Sequence, residues 1–142
     1  MKKVKILLVE DNEGDILLTK EAFEEARIIN DLSVAKNGKE ALDYIFRRGR
    51  YTDAEKPDLI LLDINLPVKS GHEVLAEIKN HPDTKRIPVV MLTTSDSKKD
   101  IEKAYGNYAN CYISKPVEIE NFMEAMQKVE DFWFQLVKLA GE

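Results

Sequence analysis

The sequence predicts an α/β fold: one five-stranded parallel sheet, doubly wound, with helices on both faces. Two observations carry that prediction. Four apolar runs, "ILLV" (6–9), "LILL" (59–62), "VVML" (89–92) and "CYI" (111–113), are continuous rather than alternating, as strands covered on both faces must be. Helical patterns separate the runs, so that a β-α unit recurs five times. Such alternation implies right-handed crossovers, which lay helices on both sides of a parallel sheet.

The elements follow in order. "ILLV" leads into a first helix whose apolar positions are Ile16, Leu17, Phe23 and Ala26. "DLSVAK", from Asp31, alternates and reads as an additional edge strand. Ala41, Leu42, Ile45 and Phe46 share one face of a second helix. The segment "RRGRYTDAEKPD" (47–58) is polar, with Gly49 and Pro57, and reads as a surface loop rather than a domain boundary. Val74, Leu75 and Ile78 mark a third helix after "LILL"; Ile101, Ala104, Tyr105 and Tyr108 mark a fourth after "VVML". "CYI" precedes the last helix, expected from about residue 118 to 139. Residues 1–142 read as a single domain, with no internal repeat or low-complexity linker.

Composition narrows the function. Apolar residues make up 44% and charged residues 33% of the chain, with a net charge of -5. That is globular composition, and its acidic balance argues against nonspecific nucleic-acid binding, which needs a basic surface. No apolar run approaches the roughly 20 residues that span a bilayer, and "MKKVKILLVEDN" is too short in its apolar part for a signal peptide. The lone Cys111 excludes an intramolecular disulfide and any multi-thiolate zinc site. His72 and His81 show no metal or triad pattern and read as exposed helix and turn residues. The cytoplasm is the expected location.

What collects at the strand ends carries the chemistry. "ILLV" runs into Glu10-Asp11, "LILL" into Asp63, "VVML" into Thr93-Thr94, and "CYI" into Ser114-Lys115-Pro116. Open α/β sheets bind ligands outside the carboxyl ends of their strands, where strand order reverses. Singly, each residue has a plainer reading: a helix N-cap for Asp11 or Asp63, a β-branched strand residue for Thr93, a helix-entry turn for Lys115-Pro116. Together they deliver three carboxylates, a hydroxyl and an ammonium to one edge. The crowded carboxylates repel, which favours protonation of at least one of them. A hard divalent cation resolves the conflict, and Mg²⁺ takes one or two carboxylates together with phosphate oxygens. Lys115 and Thr93 then face a second anion, for which a phosphoryl group on Asp63 is the natural candidate.

These motifs resemble the receiver domain of bacterial two-component response regulators over about residues 3 to 130. "LLVEDN" is similar to the family's acidic pair, "LILLDINLPVKSGHEV" to its phosphoacceptor strand and loop, "IPVVMLTTSD" to its hydroxyl-bearing strand, and "CYISKP" to its Lys-Pro turn. The resemblance implies the flavodoxin-like strand order 2-1-3-4-5. It also implies that Asp63 accepts phosphate from a sensor histidine kinase, with Lys115 and Thr93 contacting phosphoryl oxygens. Asp11 and Asp63 would hold Mg²⁺ directly, Asn65 through its backbone carbonyl, and Glu10 through water. Thr93 and Tyr112 would rearrange with phosphorylation. Glu10 stands where the family often has Asp.

Such a chain is a switch that modifies itself and loses its phosphate slowly, rather than an enzyme in its own right. A phosphohydrolase of the haloacid dehalogenase type also attacks with a strand-end Asp, but needs a second Asp where this chain has Asn65. A nucleotide-binding module would need a glycine-rich phosphate loop, and "EDNEGD" has one glycine. Neither an output domain nor a basic recognition helix is expected. The long 47–58 loop and the terminal "FMEAMQKVEDFWFQLVKLA" resemble the stand-alone regulators that partner phytochrome kinases. In that terminal helix Phe132, Trp133, Phe134 and Leu136 form an apolar arc too wide for one sheet. A homodimer through the last strand and the C-terminal helix is therefore expected.

Overall fold

Strands that are apolar at every position need cover on both faces, and this chain supplies it with two distinct cores. The computed structural model describes residues 4–25, 30–93, 102, 106, 111–115 and 118–128. Five strands, β1 (Val4–Val9), β2 (Asn30–Ala35), β3 (Leu59–Asp63), β4 (Val89–Thr93) and β5 (Cys111–Ser114), form one sheet in the order β2-β1-β3-β4-β5. Every pairing is parallel. The expected fold class and strand order 2-1-3-4-5 are therefore those of the protein.

Alternation of side chains along each strand divides the cores. Ile6, Leu8, Leu59, Leu61, Val90 and Leu92 point to one face, where Ile16 and Phe23 of α1 (Glu13–Glu25) and Phe122 of α4 (Ile119–Lys128) cover them. Phe23 and Phe122 meet edge to face with centroids 4.5 Å apart. Leu7, Val9, Ile60, Leu62, Val89 and Met91 point the other way, against α2 (Gly38–Ile45) and α3 (Gly71–Lys79). The central β3 is buried throughout. At about 1.5–3 kcal/mol per buried aliphatic side chain, this strand anchors the fold.

Helix starts are fixed by polar side chains that take up otherwise unpaired amides. Asn37 Oδ1 accepts from the Glu40 amide (2.8 Å), Ser70 Oγ from the Glu73 amide (3.3 Å), and Asn12 Oδ1 from the Asp15 amide (2.9 Å). The 47–58 segment is a surface loop, as expected, but a pinned one. It holds a single 3-10 turn, Gly49–Tyr51, and the Tyr51 hydroxyl donates to Glu40 Oε1 at 2.6 Å.

Two expectations need correction. Leu17 does not face the core; it is 57% exposed, and α1 buries Ile16, Thr19, Ala22 and Phe23 instead. The inward stripe passes through 16, 19 and 23, which leaves 17 more than a quarter of a turn outside it. His72 is buried rather than exposed. It follows Gly71, where the first turn of α3 is drawn down onto the end of β3. Ala26, the pattern of Ile101, Ala104, Tyr105 and Tyr108, and the last helix beyond Lys128 lie outside the described residues. So do Phe132, Trp133, Phe134 and Leu136. Among the described residues no helix is long and apolar enough to cross a membrane.

Candidate functional site

β1 pairs with β2 on one side and β3 on the other, so the chain departs in opposite directions from the ends of β1 and β3. That divergence opens the crevice where α/β sheets place ligands. Glu10 follows β1 and Asp63 ends β3, and both are buried, at 1% and 2% exposure. Asp11 is exposed beside them.

Backbone geometry holds each carboxylate in place. Glu10 Oε2 accepts from the amides of Asp11 (3.0 Å) and Asn12 (3.4 Å). Asp63 Oδ1 accepts from the Asn65 amide at 3.2 Å. Gly71 lets α3 settle against this strand end: its amide donates to Ile64 O at 2.9 Å. A Cβ at Gly71 would fall well inside van der Waals distance of the Asp63 carbonyl oxygen, so any side chain there would push the strand end aside.

Lys115, just past β5, closes the cluster from the next strand but one. Its ammonium lies 3.0 Å from Asp63 Oδ2, 2.5 Å from Glu10 Oε1 and 3.2 Å from Asp15 Oδ2. The Glu10 contact is an ion pair without the alignment of a hydrogen bond, whereas Asp63 and Asp15 accept hydrogen bonds. Burial pushes the Glu10 carboxyl up to about 7; the neighbouring Asp63 carboxylate adds to the rise, and Lys115 opposes it. For Lys115 burial disfavours the charge, but the carboxylates of Glu10 and Asp63 outweigh it and hold the ammonium above its ordinary range. The rise at Glu10 thus comes first from burial, and the repulsion foreseen from sequence adds to it.

Carboxylate oxygens of Glu10, Asp11 and Asp63 lie within 4.8 Å of one another. An all-oxygen set of surplus negative charge suits a hard divalent cation and fits poorly with a soft one. The structure thus brings together Glu10, Asp11, Asp63 and Lys115 as the sequence predicted. Asn65 contributes its amide to Asp63 while its side chain is exposed. Thr93 ends β4 at the same sheet edge, in register with Ser114, and its side chain lies outside the described residues. Tyr112, in register with Met91 on the edge strand β5, is 36% exposed. Asp15 was missed. In the sequence it is one acid among several in "EDNEGD", and only the helical first turn of α1 points it at Lys115.

Residues 6–127 match the family described as the response regulator receiver domain. The chain is 42% identical over 134 residues to the response regulator Rcp1 of a Synechocystis species, covering 94% of this chain and 91% of that one. It is also similar to the phosphorylated cyanobacterial phytochrome response regulator RcpA, at 44% identity and a TM-score of 0.80, covering 94% and 95% of the two chains. The Mn²⁺-bound form of Rcp1 superposes with a TM-score of 0.77 at 43% identity, over 91% of this chain and 93% of that one.

Proposed function

The chain belongs to the response regulator receiver domain family of two-component signalling, and from that premise we propose that Asp63 is its phosphoacceptor. One observation carries the reading: Asp63 is the buried carboxylate that ends the central strand with an ammonium at 3.0 Å and two further carboxylates around it. An Asp63 Oδ attacks the phosphorus of a phosphohistidine or small acyl phosphate. The new P–O bond forms as the donor's P–N or P–O bond breaks, its electron pair leaving with the donor. Lys115 stands ready to neutralise charge on the phosphoryl oxygens, and the Asn65 amide keeps the carboxylate oriented.

Receiver domains bind a divalent metal, and we assign Mg²⁺ here, with Asp11 and Asp63 as direct ligands, the Asn65 carbonyl beside them and Glu10 acting through water. When bound, the ion supplies the charge that draws the anionic donor to the site. Thr93 takes up a phosphoryl oxygen afterwards, and Tyr112 rearranges with it to change the β5 edge. The chain then works as a phosphorylation switch in the cytoplasm rather than as an enzyme turning over a substrate. Its partner is a sensor histidine kinase of the phytochrome type, a reading supported by the phytochrome regulators it resembles. A haloacid-dehalogenase-type hydrolysis is not favoured: Asn65 has no acid to offer the leaving group.

Incubation with Mg²⁺ and acetyl phosphate, followed by intact mass, tests the central step. One phosphate is expected on the wild type, located at Asp63; labelling at another aspartate would sink the assignment. We further propose a homodimer through β5 and the C-terminal helix, which would put the exposed Tyr112 at its edge. Sedimentation as a monomer both with and without phosphate would end that proposal.

A further inference from the structure

The ammonium of Lys115 and the divalent cation need the same oxygens. Lys115 lies against Glu10 and Asp63, and those two residues with Asp11 make up the carboxylate cluster. Two cations crowded onto one set of anions at this range repel each other, and the repulsion is eased if one has another place to go. Asp15 is that place. Its Oδ2 accepts from Lys115 Nζ at 3.2 Å, yet Asp15 is outside the metal-competent group of oxygens.

We infer that Asp15 is a positioning residue, a reserve counter-ion that holds the Lys115 ammonium when a divalent cation claims Glu10 and Asp63. This rests on the receiver reading above and adds to it a role for a residue outside the cluster. The local structure suits the task. Asp15 is fixed in the first turn of α1, where the Asn12 side chain takes its amide and its carbonyl accepts from Thr19 Oγ1 at 2.8 Å. Its carboxylate is 27% exposed, while the Lys115 side chain is 8% exposed and the Glu10 side chain 1%. A retreat toward Asp15 therefore moves the ammonium to the wetter side of the site without leaving it unpaired. The plainer role, an acid that complements the amino end of a helix, accounts for an aspartate in the first turn. It does not account for its hydrogen bond to a lysine 100 residues away.

The two roles separate in a double-mutant cycle. Mg²⁺ is titrated calorimetrically into the full chain as wild type, Asp15→Asn, Asp15→Glu, Lys115→Ala and the Asp15→Asn/Lys115→Ala pair. Circular dichroism checks the fold of each. Asp15→Asn is expected to weaken Mg²⁺ binding by about three- to tenfold, within the coupling seen for residues of one ion-pair network, and Asp15→Glu to recover most of the loss. In the Lys115→Ala background the same substitution should change affinity by less than about twofold, because no ammonium is left to relocate. The Lys115 ammonium resonance should also shift on Mg²⁺ addition in the wild type and shift differently in Asp15→Asn. An unchanged affinity in Asp15→Asn, or an equal loss with and without Lys115, overturns the inference. If the wild type binds Mg²⁺ and accepts phosphate at Asp63 while Asp15→Asn matches it throughout, this inference fails alone. A wild type that binds no Mg²⁺ and accepts no phosphate brings down the receiver mechanism with it.

Discussion

Glu40, Arg50 and Tyr51 form one charged network on the surface of this protein, and Glu10, Asp15, Asp63 and Lys115 form another at the strand ends. Their distances overlap: Glu40 Oε1 takes Arg50 at 2.8 Å and Tyr51 at 2.6 Å, while Lys115 reaches its carboxylates at 2.5 to 3.2 Å. The two glutamates nevertheless respond in opposite directions. Burial raises both, but for Glu40 the Tyr51 hydroxyl, the Lys36 amide and Arg50 outweigh it, and the carboxyl falls below its ordinary value. For Glu10 burial and the neighbouring Asp63 carboxylate outweigh the Lys115 ammonium, and the carboxyl rises to about 7. A balanced, exposed network ties down a loop. A buried one with surplus negative charge is held ready for a further cation.

The contrast can be broken hardest at Asp63. Asp63→Asn should lose all phosphate incorporation from acetyl phosphate, read by intact mass, whereas Tyr51→Phe should incorporate as the wild type does. Equal labelling of both variants would erase the distinction between the networks.

Lys115→Met comes next. In the absence of divalent ions it leaves buried carboxylates without their cation, a loss of about 3 kcal/mol in urea denaturation. Millimolar Mg²⁺ should restore part of that stability by binding only the folded chain. A variant as stable as the wild type without metal would show the cluster to be solvated.

A pH series sharpens the comparison further. The folded chain keeps a proton on Glu10 between its ordinary 4.5 and about 7, where the unfolded chain has lost it. The stabilisation is full below 4.5 and is lost as pH rises through about 7, so metal-free stability should fall over that window. Glu10→Gln should flatten the fall. Glu40 works in the other sense: its contribution is present above 4.5 and is lost on acidification. A wild-type stability that climbs from pH 4.5 to 7 and is indifferent to Glu10→Gln would contradict the assignment.

The smallest effect belongs to the loop. Tyr51→Phe removes one hydroxyl bond to Glu40 and should cost about 1 kcal/mol in chemical denaturation. Added salt should weaken the Arg50–Glu40 pair, with Arg50 73% exposed, far more than the Lys115 cluster.

The strands were legible because burial on both faces writes itself as a local run, and β1, β3, β4 and β5 lie where those runs stand. Glu10, Asp11, Asp63 and Lys115 were legible as residues that follow such runs. Leu17 and His72 were misread because helical periodicity fixes an angle around an axis, not the side from which a sheet approaches it. Asp15 left no signal of its own, being one acid among four from Glu10 to Asp15 that a helix start accepts without comment.

By itself the sequence determined the class of the sheet, the order of its elements and which strand ends carry charge, because these follow from periods of two and 3.6 residues. Only the tertiary structure decided which charges share a cation. Lys115 is 52 residues from Asp63 and 100 from Asp15 along the chain, and meets both because the sheet places β5 beyond β4 while α1 begins at the same edge. Electrostatic strength depends on distance and on how much water is excluded. Neither quantity exists until the chain has folded.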